Sequence, residues 1–258
     1  MNAQIIKEVR ETNPLIHHLT NQVVMNFTAN GLLSFGGSPV MAKAEEEATE
    51  MASVADGVLI NIGTLTSLEL PAMVEAGIAA NKKGIPVVLD PVGVAATTFR
   101  SNAVRQLTEN IQFTAIKGNA GEMAHLVHTP WETKGVDSVG DGDITEIAQM
   151  VADTYQTSVI VTGKTDYIYT DGNLYTNDSG HPLLGKITGA GCLLGSIITA
   201  CLSTNYSMKD QLITAVSFYG HAADFAAQQR TVVGPGSFLT GFIDALSMDV
   251  EKVAERRM

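Results

Sequence analysis

The chain is poor in cysteine, tryptophan and positive charge. Its 258 residues include two cysteines and one tryptophan. So little cysteine excludes a disulfide-stapled scaffold. Cys192 and Cys201 are nine positions apart in the sequence. On one helix that spacing separates them by about 13 Å, well beyond the roughly 7 Å that a disulfide spans. Free thiols in a reducing cytoplasm are therefore expected. Basic residues number 16 against 27 acidic ones, a formal charge of −11. That balance argues against nucleic acid or an anionic membrane as partner, since both need clustered Lys and Arg. It leaves phosphate ligands open, because backbone N–H groups and one or two cations can hold them. No apolar run reaches the roughly 18 residues needed to cross a bilayer. The N-terminal MNAQIIKEVRETNP lacks the apolar stretch of a signal peptide. Two nucleotide signatures are also missing. There is no G-x-x-x-x-G-K-[ST], and no G-x-G-x-x-G follows the first strand. P-loop and dinucleotide-binding domains are disfavoured accordingly.

What is present is an alternation of short β-branched runs with amphipathic stretches. Strands are expected over 16–20, 39–42, 57–62, 85–90, 113–117 and 158–162. Helices are expected near 22–34, 45–55, 67–82, 100–109, 121–127 and 144–155. Apolar strands bounded by Gly and Pro and separated by helices indicate a parallel sheet covered on both faces. The expected architecture is one three-layer α/β/α domain spanning residues 1–258, with right-handed crossovers. The segment YIYTDGNLYTN then places Asp171-Gly172 between alternating apolar residues, a hairpin signal. An antiparallel pair should follow the parallel strands. The rest reads as helices over 192–204, 208–229 and 238–255. Residues 128–143 form a polar excursion read as a surface loop. Its DSVGDGD run lacks the spacing of a calcium loop.

The segment KITGAGCLLG, Lys186–Gly195, carries the most chemistry. An extended stretch ends at Thr188, Gly189-Ala190-Gly191 turn tightly, and a helix begins near Cys192. Small residues let a backbone approach a ligand closely. A helix start aims unpaired N–H groups at one point, which suits a transferring phosphate. A purely structural turn is the alternative. Asp90 closes an apolar run and should sit at the carboxyl edge of the sheet, where open α/β folds bind ligands. It reads as a carboxylate near Mg²⁺ and phosphates, or as a turn or cap residue. Asn119 and Glu122 have the N-x-x-E spacing. They can orient water around Mg²⁺, or form a capping box. His17 and His18 are strand neighbours pointing to opposite faces, so they cannot pair on a metal.

Gly189-Ala190-Gly191 followed by a reactive residue resembles the anion-hole motif of ribokinase-like enzymes. Cys192, where Asp is usual, is similar to the pattern of the hydroxyethylthiazole kinase family. Leu19-Thr20-Asn21, Asp90-Pro91-Val92-Gly93, Lys117-Gly118-Asn119-Ala120-Gly121-Glu122, Val161-Thr162-Gly163 and Gly234-Pro235-Gly236-Ser237-Phe238 resemble further segments of that family, in its order. The resemblance implies a ribokinase-like fold and ATP-dependent phosphorylation of the hydroxyl of 5-(2-hydroxyethyl)-4-methylthiazole. It implies Lys117, Asn119, Thr162 and Gly163 beside the nucleotide, Asp90 and Glu122 near Mg²⁺, and Gly189 to Cys192 at the transferring phosphate. For the alcohol it implies Asn21, Val23, Met41, Gly63 and Gly189. Core packing is the alternative for Val23 and Met41, and a solvated strand end for Lys117. The helix start is expected to lower the Cys192 thiol. The family is trimeric with sites between subunits, so a homotrimer is implied. Rival readings are a kinase of a hydroxymethylpyrimidine or pyridoxal-type alcohol, a nucleotide-dependent hydro-lyase, and a nucleotide sensor without catalysis.

Overall fold

A computed structural model describes residues 1–130 and 141–254, apart from the side chains of 141–143 and 254. The elements in chain order are α1 (Ala3–Thr12), β1 (Leu15–Leu19), α2 (Met25–Phe35), β2 (Ser38–Val40), α3 (Glu45–Val54), β3 (Gly57–Asn61) and α4 (Leu70–Lys83). They continue through β4 (Val87–Asp90), α5 (Thr98–Asn110), β5 (Ala115–Asn119), α6 (Ala120–Leu126), α7 (Asp141–Tyr155) and β6 (Ser158–Thr162). The chain closes with the strands β7 (Asp166–Thr170) and β8 (Asn173–Asn177) and the helices α8 (Ala190–Leu202), α9 (Met208–Ala227), α10 (Pro235–Leu246) and α11 (Val250–Ala254).

The eight strands form one sheet in the order β2-β1-β3-β4-β5-β6-β7-β8. Pairings from β2 to β6 are parallel, and β6-β7 and β7-β8 are antiparallel. Alternate residues of each strand face opposite layers. Val58 and Ile60 join an apolar cluster with α3, α4, α5 and α7. Leu59, Val88 and Ile160 join another with α1, α2, α8, α9 and α10. The central strands β3 and β4 are buried on both faces, as their apolar runs required, while the edge strands β2 and β8 are partly exposed. It is a three-layer sandwich with a terminal hairpin, turning at Asp171-Gly172 as expected.

Three local expectations are corrected. Lys186 belongs to a 3-10 turn, Pro182–Lys186, started by Pro and the His181 side-chain cap, so the extended stretch before Gly189 shrinks to Ile187. Residues 235–254 form two helices and not one. Arg10 is the cause: its Nη2 donates to Leu246 O (3.0 Å) and Met248 O (2.8 Å), taking carbonyls at the end of α10. Residues 141–143 lie in α7, whereas the rest of the expected loop from 131 to 140 falls outside the described residues. Helix α1, unforeseen, is capped by the Asn2 side chain on Gln4 N.

Helix α8 crosses β1, β3 and β4 and is buried along nearly its whole length. His18 fastens it to β1. Its Nδ1 lies 2.9 Å from Ile16 O and its Nε2 2.9 Å from Ser196 Oγ. A carbonyl only accepts, so Nδ1 carries the proton and Ser196 donates to Nε2. Burial pulls the His18 pKa down from 6.5 to about 4. The folded state therefore binds fewer protons than the unfolded one between these values. Stability on this account is complete above pH 6.5 and is lost as pH falls toward 4, by about 3 kcal/mol. We expect His18→Gln to flatten the pH dependence of urea unfolding over that range relative to the parent. Parallel curves for the two proteins would contradict it. His17 points the other way, its Nε2 donating to Ala42 O at 2.7 Å, so the two rings cannot share a metal.

Candidate active site

The polar groups gather where the parallel strands end. Asp90 ends β4 and is fully buried. Its Oδ1 accepts from Lys117 Nζ at 3.0 Å, and its Oδ2 from Asn61 Nδ2 at 2.6 Å. Lys117, on the neighbouring strand β5, is 4% exposed, which excludes a solvated strand end. Burial alone would lower its pKa. The adjacent Asp90, with Cys192 and Glu122, offsets that and holds the ammonium above its usual value. Burial pulls Asp90 upward as Lys117 pulls it down. Two donors on separate oxygens are the geometry of a carboxylate, so the pair is ionised.

Lys117 Nζ also donates to Gly191 O at 3.0 Å. One ammonium thus joins the acid to the first turn of α8. Gly189 is the cap of that helix, at φ 93° and ψ 2°. A Cβ there would come within 2.5 Å of Val24 Cγ1, so both backbone angle and close approach call for glycine. Helix α8 begins at Ala190, two residues earlier than expected, and its first internal bond is Leu193 N to Gly189 O. The N–H groups of the first turn have no partner within the helix. Gly191 is exposed at that turn, whereas Ala190 and Cys192 on either side of it are buried. Tyr219 Oη braces the turn from α9 by donating to Ala190 O.

Cys192 is buried beneath it. The helix start does not lower its thiol. Burial, with Asp90 close by, pushes the pKa up, and Lys117, Asn61 and Asn21 only moderate the rise. The group is a neutral thiol at neutral pH. Asn21, on the loop after β1, donates through Nδ2 to Cys192 Sγ (3.4 Å) and to Asn61 Oδ1 (2.9 Å). Gly63 N donates to the same Asn61 oxygen at 3.0 Å. A Cβ on Gly63 would lie within 2.9 Å of the Asn21 side chain, so the two are in close contact.

Asn119 and Glu122 form the capping box. The Asn119 side chain accepts from Glu122 N, and Glu122 Oε2 from Asn119 N. Glu122 does more than cap. Its Oε1 accepts from Gly93 N at 2.8 Å, tying α6 to the loop after Asp90. Thr162 pairs with Asn119 across β5 and β6. Gly163 N donates to Asp166 Oδ1 at 3.1 Å.

The structure therefore brings together Asn21, Gly63, Asp90, Lys117 and Gly189 to Cys192, with Asn119, Glu122, Thr162 and Gly163 along the same edge. Val23 stands apart. It is 68% exposed, which excludes core packing, while its neighbour Val24 packs on Gly189. Met41 is half-buried beside Ala42, the acceptor of His17.

Three residues escaped the reading of the sequence. Asn61 joins Asn21 to Asp90, and its signal was a polar residue interrupting the apolar run 57–62. Arg100 donates to Ile62 O (2.7 Å), Val92 O (2.6 Å) and Gly63 O (2.6 Å), clamping two site loops. Asp166 braces the Gly163 turn and also accepts from Asn177 Nδ2 at 3.0 Å. Nothing local in the sequence marks either of the last two.

Known proteins are similar to this chain in sequence and in fold. A protein from Oceanobacillus iheyensis named hydroxyethylthiazole kinase 1 is 61% identical over 255 residues, 99% of each chain. The solved hydroxyethylthiazole kinase protein from Pyrococcus horikoshii is 39% identical, covers 95% of this chain and 92% of its own, and superposes with a TM-score of 0.85. A ribokinase-like superfamily protein from Enterococcus faecalis, 17% identical, covers 98% of this chain and 95% of its own at a TM-score of 0.69, and shares the fold. The profile of the hydroxyethylthiazole kinase family matches residues 6–251. The chain belongs to that family and has the ribokinase-like fold.

Proposed function

We propose that the protein transfers the γ-phosphoryl group of ATP to the primary hydroxyl of 5-(2-hydroxyethyl)-4-methylthiazole, in thiamine biosynthesis or salvage. The observation that supports this most is Lys117, whose ammonium touches both Asp90 and the carbonyl of Gly191. It puts a buried positive charge beside the first-turn N–H groups of α8. Phosphoryl transfer asks mainly for positioning and for stabilisation of charge on the phosphate oxygens. Lys117 and the amides of Ala190, Gly191 and Cys192 would supply that. Asn119, Thr162 and Gly163 would border the nucleotide. Asn21, Gly63, Gly189 and Met41 would wall the thiazole pocket, with Val23 at its rim.

A divalent cation such as Mg²⁺ fits the acids in a particular way. Each oxygen of Asp90 and Glu122 already accepts one protein hydrogen bond. Among the described residues no cluster of three His, Cys, Asp or Glu side chains could hold a metal. Mg²⁺ keeps several waters and binds phosphate directly, so Glu122 would hold its waters by its remaining lone pairs, and Asp90, which has no exposed surface, would reach them once binding opens the site. When bound, the ion neutralises charge on the phosphates. Among the described residues no helix is long and apolar enough to cross a membrane. We further propose a cytoplasmic homotrimer with sites between subunits. The assembly call rests on the family resemblance, and size-exclusion chromatography with light scattering would test it.

The test is an assay with ATP, Mg²⁺ and the thiazole alcohol, analysed by mass for a monophosphate. Hydroxymethylpyrimidine and pyridoxal serve as competing acceptors. Preference for either, or ATP binding without turnover of any alcohol, would replace this reading. Burial pushes the Cys192 thiol up and makes it a poor base, and phosphoryl transfer asks little of one. We expect Cys192→Asp to keep or raise turnover, since amides of Asn21 and Asn61 can bind a carboxylate there. Cys192→Ala should lose less than Asp90→Ala. Steady-state rates that reverse this order would restore a chemical role to the sulfur.

A further inference from the structure

The buried polar groups close into a circuit. Lys117 donates to Asp90, Asn61 to Asp90, Asn21 to Asn61 and Asn21 to Cys192. Lys117 also holds Gly191, the residue before Cys192, and so the chain itself completes the loop. Of its members Asn21, Asn61, Asp90, Lys117 and Cys192, none is more than 9% exposed.

The direction of every bond in this circuit is determined. A carboxylate only accepts, so Asn61 must turn Nδ2 to Asp90. A backbone N–H only donates, so Gly63 must meet Oδ1 of Asn61. The two constraints are independent and orient the amide identically. The Oδ1 of Asn61 then only accepts, so Asn21 must face it with Nδ2. Both amide hydrogens of Asn21 are thereby used, one on Asn61 and one on Cys192. Its Oδ1 accepts from none of the described residues. Gly63, in contact with the Asn21 side chain, leaves little room for it to swing away.

We propose that Asn61 is a positioning residue: it fixes the amide of Asn21 so that the remaining carbonyl oxygen accepts a hydrogen bond from the neutral hydroxyl of the acceptor substrate. This rests on the reading of Asn21 as a wall of the alcohol pocket. The pocket then selects a donor. An alcohol satisfies Asn21 Oδ1, whereas an ether, a fluoride or a carboxylate leaves it facing another acceptor. A site built to bond a hydroxyl rejects analogues lacking one more strongly than apolar contacts do, because the site's own group stays unpaired.

The experiment is calorimetric binding without ATP, so that any part Asp90 has on the phosphate side does not enter. In the parent protein the thiazole alcohol should bind at least about tenfold more tightly than its 2-fluoroethyl isostere. Asn61→Asp places two carboxylates together and should weaken alcohol binding by about tenfold or more. Asn61→Ala removes the oxygen that faces the Asn21 amide and should narrow the preference for alcohol over isostere to about threefold or less. That ratio, unlike either affinity alone, does not move with a merely structural loss. Equal affinity of the parent for alcohol and isostere would overturn the proposal, as would an Asn61→Ala variant that keeps the parent's preference for the alcohol. A parent that phosphorylates the alcohol yet shows equal affinities loses only the positioning claim. A parent that neither binds nor phosphorylates the alcohol loses the functional reading, and this inference with it.

Discussion

Replacing Lys117 with Met is expected to cost about 3–5 kcal/mol of folding stability and to reduce turnover by about a hundredfold to a thousandfold. The first figure follows from what is left behind. Asp90 has no exposed surface and Lys117 almost none. Removing the ammonium leaves a buried carboxylate with the Asn61 amide as its remaining side-chain donor. Burial already lifts the Asp90 pKa, so without Lys117 the acid would take up a proton far more readily. The second figure follows from the bond of Lys117 to Gly191 O, which ties the cation to the amide cluster of α8. Stability and activity should separate in the double variant Lys117→Met with Asp90→Asn. A neutral amide needs no counter-charge, so most of the stability should return. Turnover should not. Urea unfolding and steady-state kinetics on the two variants decide the matter. A single variant within about 1 kcal/mol of the parent would show that the buried pair is not what holds this region together.

The second large effect belongs to Gly189→Ala. The backbone there sits at φ 93°, and an added methyl would lie 2.5 Å from Val24 Cγ1. The residue would be strained by about 1–2 kcal/mol through its backbone angle alone. The overlap would add a displacement of either α2 or the start of α8. Val24 is itself 3% exposed and has little freedom to yield. The amides of the first turn would shift, and misplaced donors cost roughly a hundredfold or more in transition-state binding. We expect kcat/KM to fall by that order while thermal unfolding shows only a moderate loss. A parental kcat/KM in this variant would mean that the turn's N–H groups do not hold the migrating phosphate.

The layered fold could be read because both faces of the sheet are covered. Runs such as GVLIN and PVVLD are apolar at every position but the last, and no amphipathic helix mimics that pattern over so few residues. The polar last residues, Asn61 and Asp90, are paired across β3 and β4. The acid drew attention because its charge demands a reason, and the amide escaped because Asn is common where strands end. The position of Lys117 was legible, but its burial was not. That depends on a carboxylate 27 residues earlier and a carbonyl 74 residues later. The break between α10 and α11 was hidden for the same kind of reason. The guanidinium responsible lies in the first helix, 236 and 238 residues from the carbonyls it takes. At Val23 and Val24 the sequence offers two alike residues, and only the entry angle of α2 decides which one turns inward.

The circuit around Asp90 also has an order in time. On the ribosome, residues 21, 61, 90 and 117 emerge well before 191 and 192. Until α8 is made, the ends of β1, β3, β4 and β5 must keep their charged and amide groups wetted, since drying them without partners is costly. The apolar layer that α8 supplies to the same strands is missing over the same interval. A nascent chain halted before that helix would leave this sheet face covered only by α1 and α2, with a hydrated polar rim. Chaperones that shield apolar strands would find their substrate there.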